Sequence, residues 1–142
     1  MTSIRQILAH KPDVFSVPPE TTVFDALRLM EQKNVGALLV MDGARIAGIF
    51  SERDYARRMI LHGRTSRDTP VREVMTRDVF VISPDETAGE CMVHMTDRHI
   101  RHLPVVENDR IVGVISIGDV VRAVIGDLRF SIQQLESYIH NA

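Results

Sequence analysis

The sequence predicts an α+β fold in which one β-α-β-β-α unit is used twice. Three observations predict it. Residues 14–60 align with residues 79–125 without a gap, at a constant offset of 65. Each copy alternates short apolar runs with stripes at helical spacing. Neither copy has enough apolar surface to close a core alone, so the two are expected to pack sheet to sheet with pseudo-two-fold symmetry. The matches include Val14/Val79, Phe15/Phe80, Pro19/Pro84, Thr22/Thr87, Met30/Met95, Leu38/Leu103, Val40/Val105, Arg45/Arg110, Gly48/Gly113, Ser51/Ser116 and Asp54/Asp119. Turn, cap and core positions are thus in register together.

The elements follow in order. A short strand near 14–17, and again near 79–82, ends in a proline-containing turn. A helix then opens at Thr22-x-x-Asp25 and Thr87-x-x-Glu90, both of which read as capping boxes. Its buried stripe is Val23, Ala26, Leu27 and Met30 in one copy and Ala88, Cys91, Met92 and Met95 in the other. Two short strands come next, ALLVM and RIAGIF, joined by a tight turn at Asp42-Gly43. Their counterparts LPVV and RIVGVI are joined through Asn108-Asp109. A second helix starts at Ser51 or Ser116. Residues 63–78 are expected to link the copies and to include a helical turn at VREVM. A separate C-terminal helix is expected near 128–140. The domain plan is an N-terminal helical segment at 1–13, repeats at 14–62 and 79–126, and a C-terminal helix at 127–142.

Composition narrows the function. The chain has 142 residues, 44% of them hydrophobic, with few aromatics and no Trp, so its core is aliphatic. A net charge of −2 argues against binding nucleic acid through bulk charge. The arginines between Arg53 and Arg77 are interleaved with acids and read as a solvated face. One cysteine excludes an intramolecular disulfide and a CxxC site. No apolar run is long enough for a membrane helix, and the N-terminus lacks the apolar region of a secretory signal. A cytoplasmic setting is expected.

Most reactive-looking residues read as structural. Cys91 occupies the slot of Ala26 and reads as core. His94, His99 and His102 do not have the spacing of a zinc site. Met30, Met92 and Met95 belong to core stripes. The stretch GIFSERD at 48–54, echoed by GVISIGD at 113–119, is different. Ser-x-x-Asp is a capping box and needs no ligand. Yet in both copies it follows a glycine and two apolar residues at a strand end, and it opens a helix. Such a junction presents free N–H groups to phosphate, and the aspartate can accept from ribose hydroxyls. A serine nucleophile duplicated in register, with no local histidine, is a poor reading.

The paired G-h-x-[ST]-x-x-D motifs and the LPVV strand at 103–106 resemble the CBS-domain family, named after cystathionine β-synthase. The resemblance covers about 14–62 and 79–126. It implies a CBS pair, or Bateman module, that commonly forms a homodimer and regulates another protein without catalysis. It also implies adenosyl ligands: AMP first, with ATP, ADP, S-adenosylmethionine or NAD(H) as others. Leu39 stands where the second copy has Pro104.

Carried over by motif, the resemblance implies two ligand-binding sites. One takes Ser51, Arg53 and Asp54 with Thr76, Phe80, Ile100, Arg101 and His102. The other takes Ser116, Ile117, Gly118 and Asp119 with Lys11, Phe15, Val35, Gly36 and Ala37. Arg53 and Arg101 suit phosphate through forked hydrogen bonds, whereas their counterparts are Gly118 and Gly36. The first site is therefore expected to bind the phosphorylated ligand more tightly. The rival reading is a structural interaction module whose sites are vestigial and whose Ser and Asp residues only cap helices. No regulated partner can be named from the residues.

Overall fold

The computed structural model describes residues 1–11 and 13–141. In chain order its elements are α1 (Ile4–Leu8), β1 (Ser16–Val17), α2 (Val23–Lys33), β2 (Ala37–Asp42), β3 (Arg45–Ser51), α3 (Glu52–Arg58), α4 (Ala88–Arg98), β4 (His102–Glu107), β5 (Arg110–Ser116) and α5 (Ile117–Asn141). Single 3-10 turns occupy Ile60–His62 and Val71–Glu73. The mixed content and the two small sheets are those of the expected α+β class.

Two compact units are present, and their membership departs from the linear plan. One is Val14–Val79; the other is Met1–Asp13 together with Phe80–Ala142. Each repeat thus folds with the segment that precedes the other repeat. Residues 63–78 are not a bare linker. Val71, Val74 and Met75, at spacings of three and one, are buried with Val17, Val23, Met30, Leu38, Val40 and Phe50. The backbone seals this contact: Val23 N–H donates to Thr69 O and Val71 N–H donates to Thr21 O, both at 2.8 Å. The other unit repeats the device. Ile4 is buried with Ile82, Ala88, Cys91, Leu103, Val105, Ile115 and Val120. Ala88 N–H donates to Thr2 O and Ile4 N–H donates to Glu86 O, both at 2.9 Å.

In the first unit β1 pairs parallel with β2, and β2 antiparallel with β3. In the second, β4 pairs antiparallel with β5, and an isolated parallel bridge, Ile82 to Val105, stands in for β1. Both hairpins carry a register irregularity at matching places, Val40/Met41 and Val105/Val106. Their turns differ. Asn108 and Asp109 both take left-handed backbone, as a two-residue hairpin turn wants. In the first copy Asp42 pairs with Arg45, so the turn residues are Gly43-Ala44 rather than Asp42-Gly43, and Gly43 supplies the positive φ.

Helix ends also refine the expectation. Thr22 accepts from Asp25 N–H and Thr87 from Glu90 N–H, but the reciprocal half of each box is missing. Glu90 instead accepts from the Thr87 hydroxyl. The expected C-terminal helix is not separate. α5 runs unbroken for 25 residues. Gly126 lies inside this run, and a glycine weakens a helix without ending it. Asp127, beside it, accepts from the Thr2 N–H and hydroxyl.

Candidate functional site

Both Ser-x-x-Asp motifs stand at a strand-to-helix junction, where the serine ends the strand and caps the helix. In the first unit Ser51 has extended backbone and accepts from Asp54 N–H at 3.3 Å. Asp54 Oδ2 accepts in return from Ser51 N–H at 2.9 Å and from its hydroxyl at 3.1 Å. The Asp54 side chain is otherwise buried, its residue 9% exposed. Its other oxygen, Oδ1, accepts from the Thr76 hydroxyl at 3.2 Å and faces Arg58 Nε at 4.0 Å. Arg58 is anchored from below by Val74 O at 3.1 Å and Met75 O at 2.7 Å. Thr76 itself is held by reciprocal backbone hydrogen bonds to Ile49 at 2.9 and 3.0 Å. That close approach depends on Gly48, where a Cβ would fall 2.6 Å from Thr76 O and from Met75 Sδ.

The second unit builds the same junction with different chemistry. Asp119 Oδ2 accepts from Ser116 N–H at 2.8 Å, and Asp119 N–H donates to Ser116 Oγ at 3.2 Å. Here the preceding segment supplies Lys11, 65 positions before Thr76 in the chain. Its ammonium donates to Asp119 Oδ2 and to Val114 O, the latter at 2.9 Å. Arg122, one turn on, donates to Asp119 Oδ1 at 2.7 Å. Burial pushes the Asp119 carboxyl up, but the Lys11 and Ser116 hydrogen bonds and the Lys11 charge outweigh it, so it stays below the usual carboxylate range.

Thr2, Gln6, Ile7, His10, Lys11, Asp119, Arg122 and Ala123 line an open cleft of about 510 Å³. Sequence reading missed Arg122, His10 and Gln6. The i, i+3 spacing of Asp119 and Arg122 was a legible signal; of the N-terminal segment the resemblance named only Lys11. The contrast drawn from Gly118 and Gly36 also needs correction: the Asp119 junction is not poor in cations, because Lys11 and Arg122 both reach it.

The remaining predicted residues fall as follows. Arg53 lies half-buried in the first turn of α3. Within its own unit Gly36 O accepts from Glu52 N–H at 3.2 Å, and Ala37 pairs with Ser51. Val35 and Gly36 also line a pocket of about 340 Å³ with Glu31 and Glu52. Phe15 packs on the core beneath the Lys33 ammonium, 5.2 Å from its ring centre. In the other unit Arg101 O accepts from Ile117 N–H at 2.8 Å, and His102 pairs with Ser116. Ile100 packs against the core. The Phe80 ring is covered by the Arg98 guanidinium at 3.7 Å and by His94, whose ring also contacts Glu86 at 3.0 Å. His99 ends α4 with left-handed backbone. Gly118 leaves room for Arg122, whose Nη1 a Cβ would meet at 3.4 Å.

A duplicated capped junction with a buried carboxylate can be compared with known proteins. The family model described as "CBS domain" matches residues 4–61 and 71–126. The chain belongs to the CBS-domain family. A CBS domain-containing protein from Arabidopsis thaliana, named CBSX3 and mitochondrial, is 42% identical over 125 residues. That alignment covers 84% of this chain but 61% of the plant protein, so the chain spans about three fifths of that relative. A solved protein with CBS domains from Burkholderia ambifaria is 46% identical, with a TM-score of 0.85 over 89% of this chain and 96% of that one. The CBS domain pair of protein MJ0100, solved with 5′-methylthioadenosine and S-adenosyl-L-methionine, shares the fold at 23% identity, with a TM-score of 0.77 over 89% of this chain and 98% of that one. No described helix here is long and apolar enough to cross a membrane.

Proposed function

We propose that this CBS pair is a regulatory module that senses adenosyl nucleotides, AMP first among them, and passes the bound state to another protein without catalysis. ATP, ADP, S-adenosylmethionine and NAD(H) are the other ligands of this class. The observation that carries the reading is the pair of buried carboxylates, Asp54 and Asp119, each set at a helix N-terminus beside cationic side chains. A ribose diol donates to a carboxylate, and a phosphate takes the arginine, the lysine or the helix end. The adenosyl compounds bound by the similarly folded MJ0100 pair support the ligand class. A reducing compartment such as the cytoplasm suits the single buried thiol of Cys91.

The two junctions differ in what a ribose must displace. Asp119 already holds Lys11 and Arg122, whereas Asp54 holds a neutral hydroxyl from Thr76. A diol therefore meets less competition at Asp54.

Calorimetry with AMP tests this. Asp54→Ala is expected to weaken binding at least tenfold and Asp119→Ala less. Equal losses overturn the asymmetry. A second reading has its own support, because the cap hydrogen bonds of Ser51 and Ser116 are complete without any ligand. If AMP, ATP, S-adenosylmethionine and NADH all leave the melting temperature unmoved, that reading, a structural interaction module, replaces the first.

A further inference from the structure

The far half of α5 has no counterpart in the repeat and no use in the ligand reading. From Leu128 to Asn141 every residue is exposed. A stretch this short is marginal as a helix unless one face is packed. Its apolar residues are not scattered. Val121, Ile125, Leu128, Ile132, Leu135 and Ile139 follow alternating steps of four and three, which is the heptad seam of a coiled coil. They are 39–70% exposed.

The pattern also names the occupant. Isoleucine fills one seam position throughout (Ile125, Ile132, Ile139), and Val121, Leu128 and Leu135 fill the other. β-branched residues at the first position with leucine at the second favour two strands. No polar residue interrupts the seam. We propose that α5 pairs with α5 of a second copy in a two-stranded coiled coil.

The available area fits. With Tyr138 beside it, the seam offers on the order of 700 Å² per copy, close to the roughly 800 Å² per partner of a stable interface. A lipid surface fits less well. Beyond Arg122 the helix carries only Arg129 as a permanent cation, against Asp127 and Glu136, where a helix on anionic lipid is rich in Lys and Arg. Phe130 falls outside the seam and serves as an internal control.

The test is the mass of the full chain by native mass spectrometry and light scattering. The single chain is 16.0 kDa. The wild type is expected at twice that mass or a larger even multiple. The double variant Ile132→Glu, Leu135→Glu is expected to fall to half the wild-type mass. Phe130→Ser is expected to leave the mass unchanged. Circular dichroism and the melting temperature of the repeats show that each variant is folded; the seam residues touch no core. A monomeric wild type overturns the proposal, whether α5 then binds vesicles or another protein. So does a seam variant that keeps the wild-type mass. AMP binding is read separately, so failure here leaves the ligand proposal standing.

Discussion

Lys11 and Asp119 form an ion pair across 108 positions of sequence, and Thr76 occupies the equivalent place against Asp54. Each motif aspartate is thus met by a residue from the segment that precedes the other repeat. One partner is charged and the other is neutral. The difference gives the two junctions distinct energetics from one shared backbone plan.

Lys11→Met removes a partner from a carboxylate that is largely buried. Arg122 and the Ser116 N–H remain, so the loss is partial. Urea denaturation at pH 7 is expected to show a destabilisation of about 1.5–3 kcal/mol, the range for a hydrogen bond to a charged group. A change under about 0.3 kcal/mol would mean that the pair is solvated and contributes nothing net.

The same pair predicts a pH dependence. The Asp119 carboxyl titrates below its ordinary value of about 3.9 in the folded chain. A depressed folded pKa means that the unfolded chain takes up the proton first as pH falls. The stabilisation is present above the unfolded value and is lost as pH drops through the folded one. The stability gap between wild type and Lys11→Met is therefore expected to be full at pH 7 and to close below pH 4. A gap that stays constant down to pH 2.5 contradicts this.

Gly48 and Gly113 occupy matching places but should tolerate alanine differently. At Gly48 the added methyl meets Thr76 O at 2.6 Å, and backbone cannot step aside. At Gly113 it meets the Leu8 side chain, Cδ2 at 2.2 Å, and that flexible end can rotate. Gly48→Ala is expected to cost about 2–3 kcal/mol and Gly113→Ala about 1 kcal/mol, both within the usual range for overpacking. Gly48→Ala should also weaken AMP binding, since it moves Thr76 off Asp54. Equal melting temperatures for the two variants would contradict the packing argument.

Cys91 is fully buried, and burial pushes its thiol up to about 12. The thiolate is the reactive form, so the native protein should react slowly with a thiol-directed disulfide reagent. Labelling is expected to require unfolding and to accelerate sharply in denaturant. Stoichiometric labelling within seconds under native conditions would place the thiol at the surface.

Much of this was legible in the chain. The gapless repeat located the helix starts and the hairpin strands of both copies, because turn residues, cap residues and apolar stripes act over a few residues and recur at one offset; the strand expected near 79–82 is only a bridge at Ile82. Ser51, Asp54, Ser116 and Asp119 stood out for the same reason: a cap is a local device. The helix expected near 128–140 is the far part of α5, because Gly126 lowers helix propensity without breaking the run.

The repeat, the α+β class, the capped junctions and the core identity of Cys91 could all be read from residue pattern alone. That each preceding segment packs as core on the other repeat, beyond the Lys11 and Thr76 named by resemblance, came from the fold. The swap places residues 1–13 on the second repeat and 63–78 on the first, so it rests on contacts between residues far apart in the chain. Short-range periodicity carries no record of such contacts. That is why Val71, Val74 and Met75 read as linker and pack as core, and why Arg122 joins the Lys11 that the resemblance had assigned to Asp119.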